Sequence, residues 1–197
     1  MKIFLTSTLS SLLIIFLLCG TTLKEKQFFT VGVMQNGKEE VITDHKITLN
    51  KDAFSLLLKF EESKSVLVNA SFEPSSFDEA LKGSPMADIK GFHQSWMAES
   101  NMNPDKEIQV SDSAPAQWFY ENPEESRFNS AKTVKNTVVC ERVVENFYLN
   151  KPGEIGSVKV KNAKKNKLYL VFVSKGITPA TGMSVETHRD FLEITFK

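Results

Sequence analysis

The sequence predicts a mainly β protein, an antiparallel β-sandwich or jelly-roll-like fold with an irregular helix and loop insertion at about residues 73–131. Three observations predict it. Short segments of alternating apolar and polar residues occur both before and after that insertion. Turn-forming residues punctuate them at short intervals, as in all-β domains. Where the alternation stops, proline gathers: Pro74, Pro85, Pro104, Pro115 and Pro123 are five of the seven in the chain.

Between residues 28 and 72 four segments read as strands. "FFTVGVM" is the first and weakest. "VITDHKITL" places Val41, Thr43, His45, Ile47 and Leu49 on one side, so His45 is expected on the apolar face as a core or cross-strand histidine. "AFSLLLKF" puts Phe54, Leu56, Leu58 and Phe60 on one face. "SVLVNASF" does the same with Val66, Val68, Ala70 and Phe72. Asn36-Gly37, Asn50-Lys51-Asp52 and Glu61-Glu62-Ser63-Lys64 are the turns between them.

In the insertion one helix is expected, with Ser76 as N-cap, Glu79 completing a capping box and Gly83 as the stop. A second helical stretch is "DIKGFHQSWMAES", interrupted by Gly91. The remainder reads as long loops, which in a compact domain usually serve function. Both tryptophans of the chain lie here. Trp96 and Trp118, with His93 and Tyr120, form an aromatic set that can stack on a sugar or aromatic ligand. Burial of the same rings would equally anchor the insertion. Asn101, Asn103, Asp105 and Asp112 loosely follow a calcium loop. Lys106 replaces its glycine and Asp112 its final glutamate, so no metal site is expected.

After residue 131 strands return. "TVKNTVVCERVVENFYL" holds one long strand or two, and "EIGSVKVKN" follows Lys151-Pro152-Gly153. "KLYLVFV" is apolar on both sides, so it is expected as a central strand with both faces covered. "DFLEITF" closes the domain, alternating Leu192, Ile194 and Phe196 against Phe191, Glu193 and Thr195. The lysine-rich "KNAKKNK" reads as a solvated hairpin loop.

Ahead of the domain, Lys2 precedes the apolar run Ile3–Leu18, and Leu23-Lys24-Glu25-Lys26 is abruptly polar. The run is short for a membrane-spanning helix and suits a secretory signal. Its end, Leu17-Leu18-Cys19-Gly20, resembles the lipobox of bacterial lipoproteins, with Leu18 where that family has a small residue. The resemblance covers residues 1–20 only. It implies cleavage before Cys19, lipidation of that cysteine and attachment to membrane. The expected organisation is a signal peptide at 1–18, a tether at 19–27 and a single β-rich domain at 28–197. The expected location is the bacterial cell envelope, at the outer membrane or cell surface, with secretion as the alternative.

The 197 residues carry 24 basic and 24 acidic side chains. A zero formal charge gives no long-range field toward nucleic acid, which is therefore not an expected partner. Phosphate-binding glycine loops, a G-x-S-x-G elbow, H-E-x-x-H and C-x-x-C are all absent from the sequence. No cofactor is expected. Cys140, between valines in "TVVCERVV", suits a small buried apolar residue better than a thiolate nucleophile. The resulting expectation is a non-catalytic binding or structural domain whose partner is a glycan or an envelope protein. The alternative is a carbohydrate-active hydrolase with a site in segment 84–125. It would draw on Glu99, Asp105, Asp112, Glu121, Glu124 and Glu125 for an acid–base pair.

Overall fold

The computed structural model describes residues 29–60, 66–90, 107–110, 118–120, 130–134, 137–151 and 153–197. The described part is mainly β. Thirteen strands are β1 (Phe29–Gln35), β2 (Lys38–Glu40), β3 (Lys46–Leu49), β4 (Phe54–Phe60), β5 (Val66–Ser71), β6 (Glu107–Val110), β7 (Trp118–Tyr120), β8 (Ser130–Val134), β9 (Thr137–Val144), β10 (Asn146–Lys151), β11 (Glu154–Lys159), β12 (Lys167–Ile177) and β13 (Ser184–Phe196). One helix, α1, spans Pro74–Leu81.

The strands form a five-stranded sheet in the order β2-β1-β4-β9-β8, a second five-stranded sheet β3-β13-β12-β5-β7, and a three-stranded sheet β11-β10-β6. Most pairs are antiparallel. The parallel exceptions are β6 against β10 and β3 against β13, each pairing an edge strand. Segment 107–134 gives one edge strand to every sheet, β6, β7 and β8, so the region without clear alternation is built into the sandwich.

One buried apolar cluster joins the three sheets, in keeping with a β-sandwich. Val33, Leu56 and Leu58 come from the first sheet, Val68, Leu170, Phe172, Leu192 and Ile194 from the second, and Ile108 and Phe147 from the third. Arg142 is also fully buried, in β9 directly opposite Leu56. The second sheet is covered on its other face as well. There Leu67, Tyr169, Val171 and Val173 pack against Phe77 and Ala80 of α1 and against Met86 and Ile89 beyond it. This is why "KLYLVFV" is apolar in both parities: β12 is the central strand, with a cover on each face.

Two local expectations change. The strand expected at 41–49 begins only at Lys46. Asp44 and His45 have φ of 50° and 60°, and a Thr43–Lys46 bridge closes a tight turn around them. The turn rotates the chain out of the sheet, so Val41 is 82% exposed and His45 stands at the surface. Its Nδ1 lies 3.2 Å from an Asp190 carboxylate oxygen. The expected capping box is also replaced. Glu73 is the N-cap with no side-chain cap bond, and Pro74 starts the helix three residues early because its ring fixes a helical φ. The Ser76 hydroxyl instead donates to the Lys90 carbonyl at 2.7 Å. Gly83 does end the helix, at φ 85° with its N–H on the Ala80 carbonyl.

Arg189 ties α1 down. Its guanidinium forks onto both Glu186 carboxylate oxygens and donates to the carbonyls of Ala80 and Ser84, each at 3.0 Å. The Ala80 carbonyl already takes the Gly83 N–H, and a cation from the underlying sheet adds charge-assisted bonds to its second lone pair and to the Ser84 carbonyl just past the helix.

Candidate functional site

A cavity of about 320 Å³ opens where the third sheet meets the end of the sandwich core. Its apolar wall comes from five places in the chain. Phe72 follows β5, Val110 ends β6, Leu149 lies in β10, Val158 in β11, and Ala163 follows a single 3-10 turn at Val160–Asn162. Val110 and Ala163 are buried, and Phe72, Leu149 and Val158 are half-buried.

The register explains the opening. Leu149 pairs with Gly156, and Phe147 pairs with Val158. Phe147 belongs to the main core and meets Phe72 edge-on at 5.3 Å between ring centroids. One pair further along β10 and β11, glycine stands where a side chain would have continued that packing. Gly156 has φ 134°, and a Cβ built there meets nothing within 4 Å. Core packing therefore ends at Leu149, leaving an apolar hollow beside it.

The polar groups sit at the mouth. Ser157, Asn162, Lys164 and Lys165 are exposed and Glu154 is half-exposed. Lys164 pairs with Glu154 at 3.2 Å and Lys165 with Glu73 at 3.5 Å. Ile155, 73% exposed, also borders the opening on the same edge strand. The loop that reads from sequence as solvated thus forms one side of this mouth.

The residues expected from sequence do not meet here. Cys19, His93 and Trp96 lie outside the described residues, as do the calcium-like set Asn101, Asn103, Asp105 and Asp112. So do the carboxylates of the hydrolase alternative, Glu99, Asp105, Asp112, Glu121, Glu124 and Glu125. Trp118 and Tyr120 lie in β7, in register with Val68 and Val66. They belong to a paired strand of the second sheet rather than to a loop. Cys140 lies in β9 in register with Leu58. Among the described residues no group of three His, Cys, Asp or Glu side chains is placed to hold a metal ion, and no helix is long and apolar enough to cross a membrane. No protein-family model, no curated protein and no solved structure matches the chain.

The cavity was hard to read in advance because its wall has no motif. Gly156 was the available signal, since a glycine inside a strand pattern marks a bulge or an open approach. The run Lys161–Lys167 was the other, as a basic loop flanking an apolar strand.

Proposed function

We propose that this chain is an exported, membrane-tethered cell-envelope protein whose β-sandwich is a non-catalytic binding domain, with the cavity beside Leu149 as its ligand site. One observation carries the binding reading: an apolar hollow in direct continuity with the core, at the low end of the roughly 300–1,000 Å³ range of small-molecule sites. Apolar wall and polar mouth together favour capture over chemistry. The lipobox-like Leu17-Leu18-Cys19-Gly20 supports the tether.

Binding is tested with N-phenylnaphthylamine, a neutral dye that brightens in apolar surroundings. The expected result is saturable, one-to-one binding that Leu149→Trp abolishes by filling the hollow while the melting temperature holds. Dye binding unchanged in that variant removes the cavity as the site. The tether is tested by mass spectrometry of the protein extracted from native membranes. The expected species starts at an acylated Cys19. A chain that keeps Met1, or a soluble chain starting beyond Gly20, overturns lipidation.

A further inference from the structure

We infer that the cavity takes a single-chain amphiphile with an anionic head, its chain lying against Leu149 and Val110 and its head held at Lys164 and Lys165. This rests on the cavity being the ligand site.

The inference follows from how the wall is divided. Every buried or half-buried wall residue except Glu154 and Gly156 is apolar, and the remaining polar groups are exposed at the rim. A sugar or nucleotide needs several donors and acceptors around its whole outline, and the buried wall side chains, Val110 and Ala163, offer none. An alkyl chain needs only desolvated apolar surface, which the hollow supplies. At about 30 Å³ per small group, the 320 Å³ cavity holds roughly ten chain carbons.

The sign of the head follows from the rim. Lys164 and Lys165 stand exposed in the lining with Glu154 as its one carboxylate, and Glu73 lies just outside it as the partner of Lys165. The two carboxylates are already engaged by lysines. Each ammonium carries three donors and spends one on its carboxylate, so the rim has donors to spare, and the lining itself holds two ammonium groups to one carboxylate. These surface pairs are weak and rearrange readily. An incoming carboxylate or other anionic head gains charge-assisted bonds there, while a cationic head meets like charge and no unengaged carboxylate.

The test is calorimetric titration of the full-length chain with decanoate, decyl maltoside and decyltrimethylammonium, each below its micelle-forming concentration. Decanoate is expected to bind about tenfold more tightly than the other two. The double variant Lys164→Gln/Lys165→Gln is expected to erase that preference and leave the melting temperature unchanged, because both side chains are exposed. Leu149→Trp is expected to abolish decanoate binding altogether. Equal binding of all three decyl compounds overturns head recognition while leaving the cavity as an apolar site. Decanoate binding that survives Leu149→Trp places it elsewhere and overturns the inference. Failure of all three compounds, with dye binding intact, overturns the amphiphile alone; failure of the dye as well removes the underlying reading.

Discussion

β11 and β12 follow one another in the chain and end in opposite environments. β12 carries apolar residues at every position from Leu168 to Val173 and is buried on both faces, against the sandwich core on one side and α1 on the other. β11 has only Ile155 and Val158 as large apolar residues, and they fall on opposite faces. A strand with no continuous apolar face cannot recruit a second layer. It remains at the edge of its sheet, alternately exposed, with Ile155 turned to solvent and Gly156 turned to a hollow. The packed region and the open region thus differ in one property, the number of apolar faces per strand. Stability is expected to reside in the first and binding in the second.

The widest separation between the two regions should come from truncating a core ring. Phe172→Ala removes a fully buried side chain from the centre of β12. It should cost about 3–5 kcal/mol, since the surrounding sheets relax only partly into the void. Urea unfolding should show a lower midpoint with an unchanged slope. Ile155→Ala on β11 should leave the unfolding free energy within about 0.5 kcal/mol of the parent. Equal losses in the two variants would mean that β11 is covered in solution and would break the comparison.

The second cover of β12 can be loosened by itself. Arg189→Ala deletes the fork to Glu186 and the donors to Ala80 and Ser84. A loss of about 1.5–3 kcal/mol is expected for charge-assisted bonds of this kind. Arg189→Lys should recover only part of it, because an ammonium cannot fork. Hydrogen exchange should accelerate in α1 before it does in the strands. Uniform acceleration throughout the domain would mean that α1 does not open separately.

Gly156→Ala sharpens the open side. The added methyl meets empty space, so the cost is conformational, from a φ that residues with a Cβ avoid. About 1 kcal/mol is expected, the low end for a strained residue, because an edge strand relaxes easily. Dye and decanoate binding should weaken more than stability does. The reverse ranking would make Gly156 a folding device unrelated to the cavity.

How much of this was legible follows the same division. β13 was readable because burial imposes parity along its end, where Leu192, Ile194 and Phe196 alternate inward, and β4, β5 and β12 were readable as short, nearly continuous apolar runs because both of their faces are covered. The stretch at 41–45 misled because alternation there is accidental: the left-handed Asp44 and His45 interrupt it, and neither is a glycine. β6 and β7, four and three residues long, carry too little pattern to declare themselves, and each finds its partner about 40 or more residues away in the chain. The cavity depends on those distant pairings. Val110 reaches it only through the parallel match of β6 to β10, so no local window of sequence contains it.

The smallest expected effect is one of pH, and it belongs to the closed side. Tyr169 lies on the outer face of β12 under Phe77, with ring centroids 5.0 Å apart. Burial is the main force pushing its phenol up, and Lys167 partly opposes it. A group whose folded pKa is raised contributes stability that is fully present below its unfolded pKa, here about 10, and lost as pH rises through the folded value. The unfolded chain ionises first and draws the equilibrium toward itself. Lys167 behaves with the same sign, because its hydrogen bond to Glu193 raises it, so both groups weaken the fold in strong alkali. Tyr169→Phe separates them. The parent's melting temperature should fall between pH 9 and pH 11 by more than the variant's, and the residual fall in the variant should shrink further with Lys167→Met. If Tyr169→Phe kept the parent's full alkaline slope, the phenol would not be held under Phe77 in solution and this face of β12 would count as open.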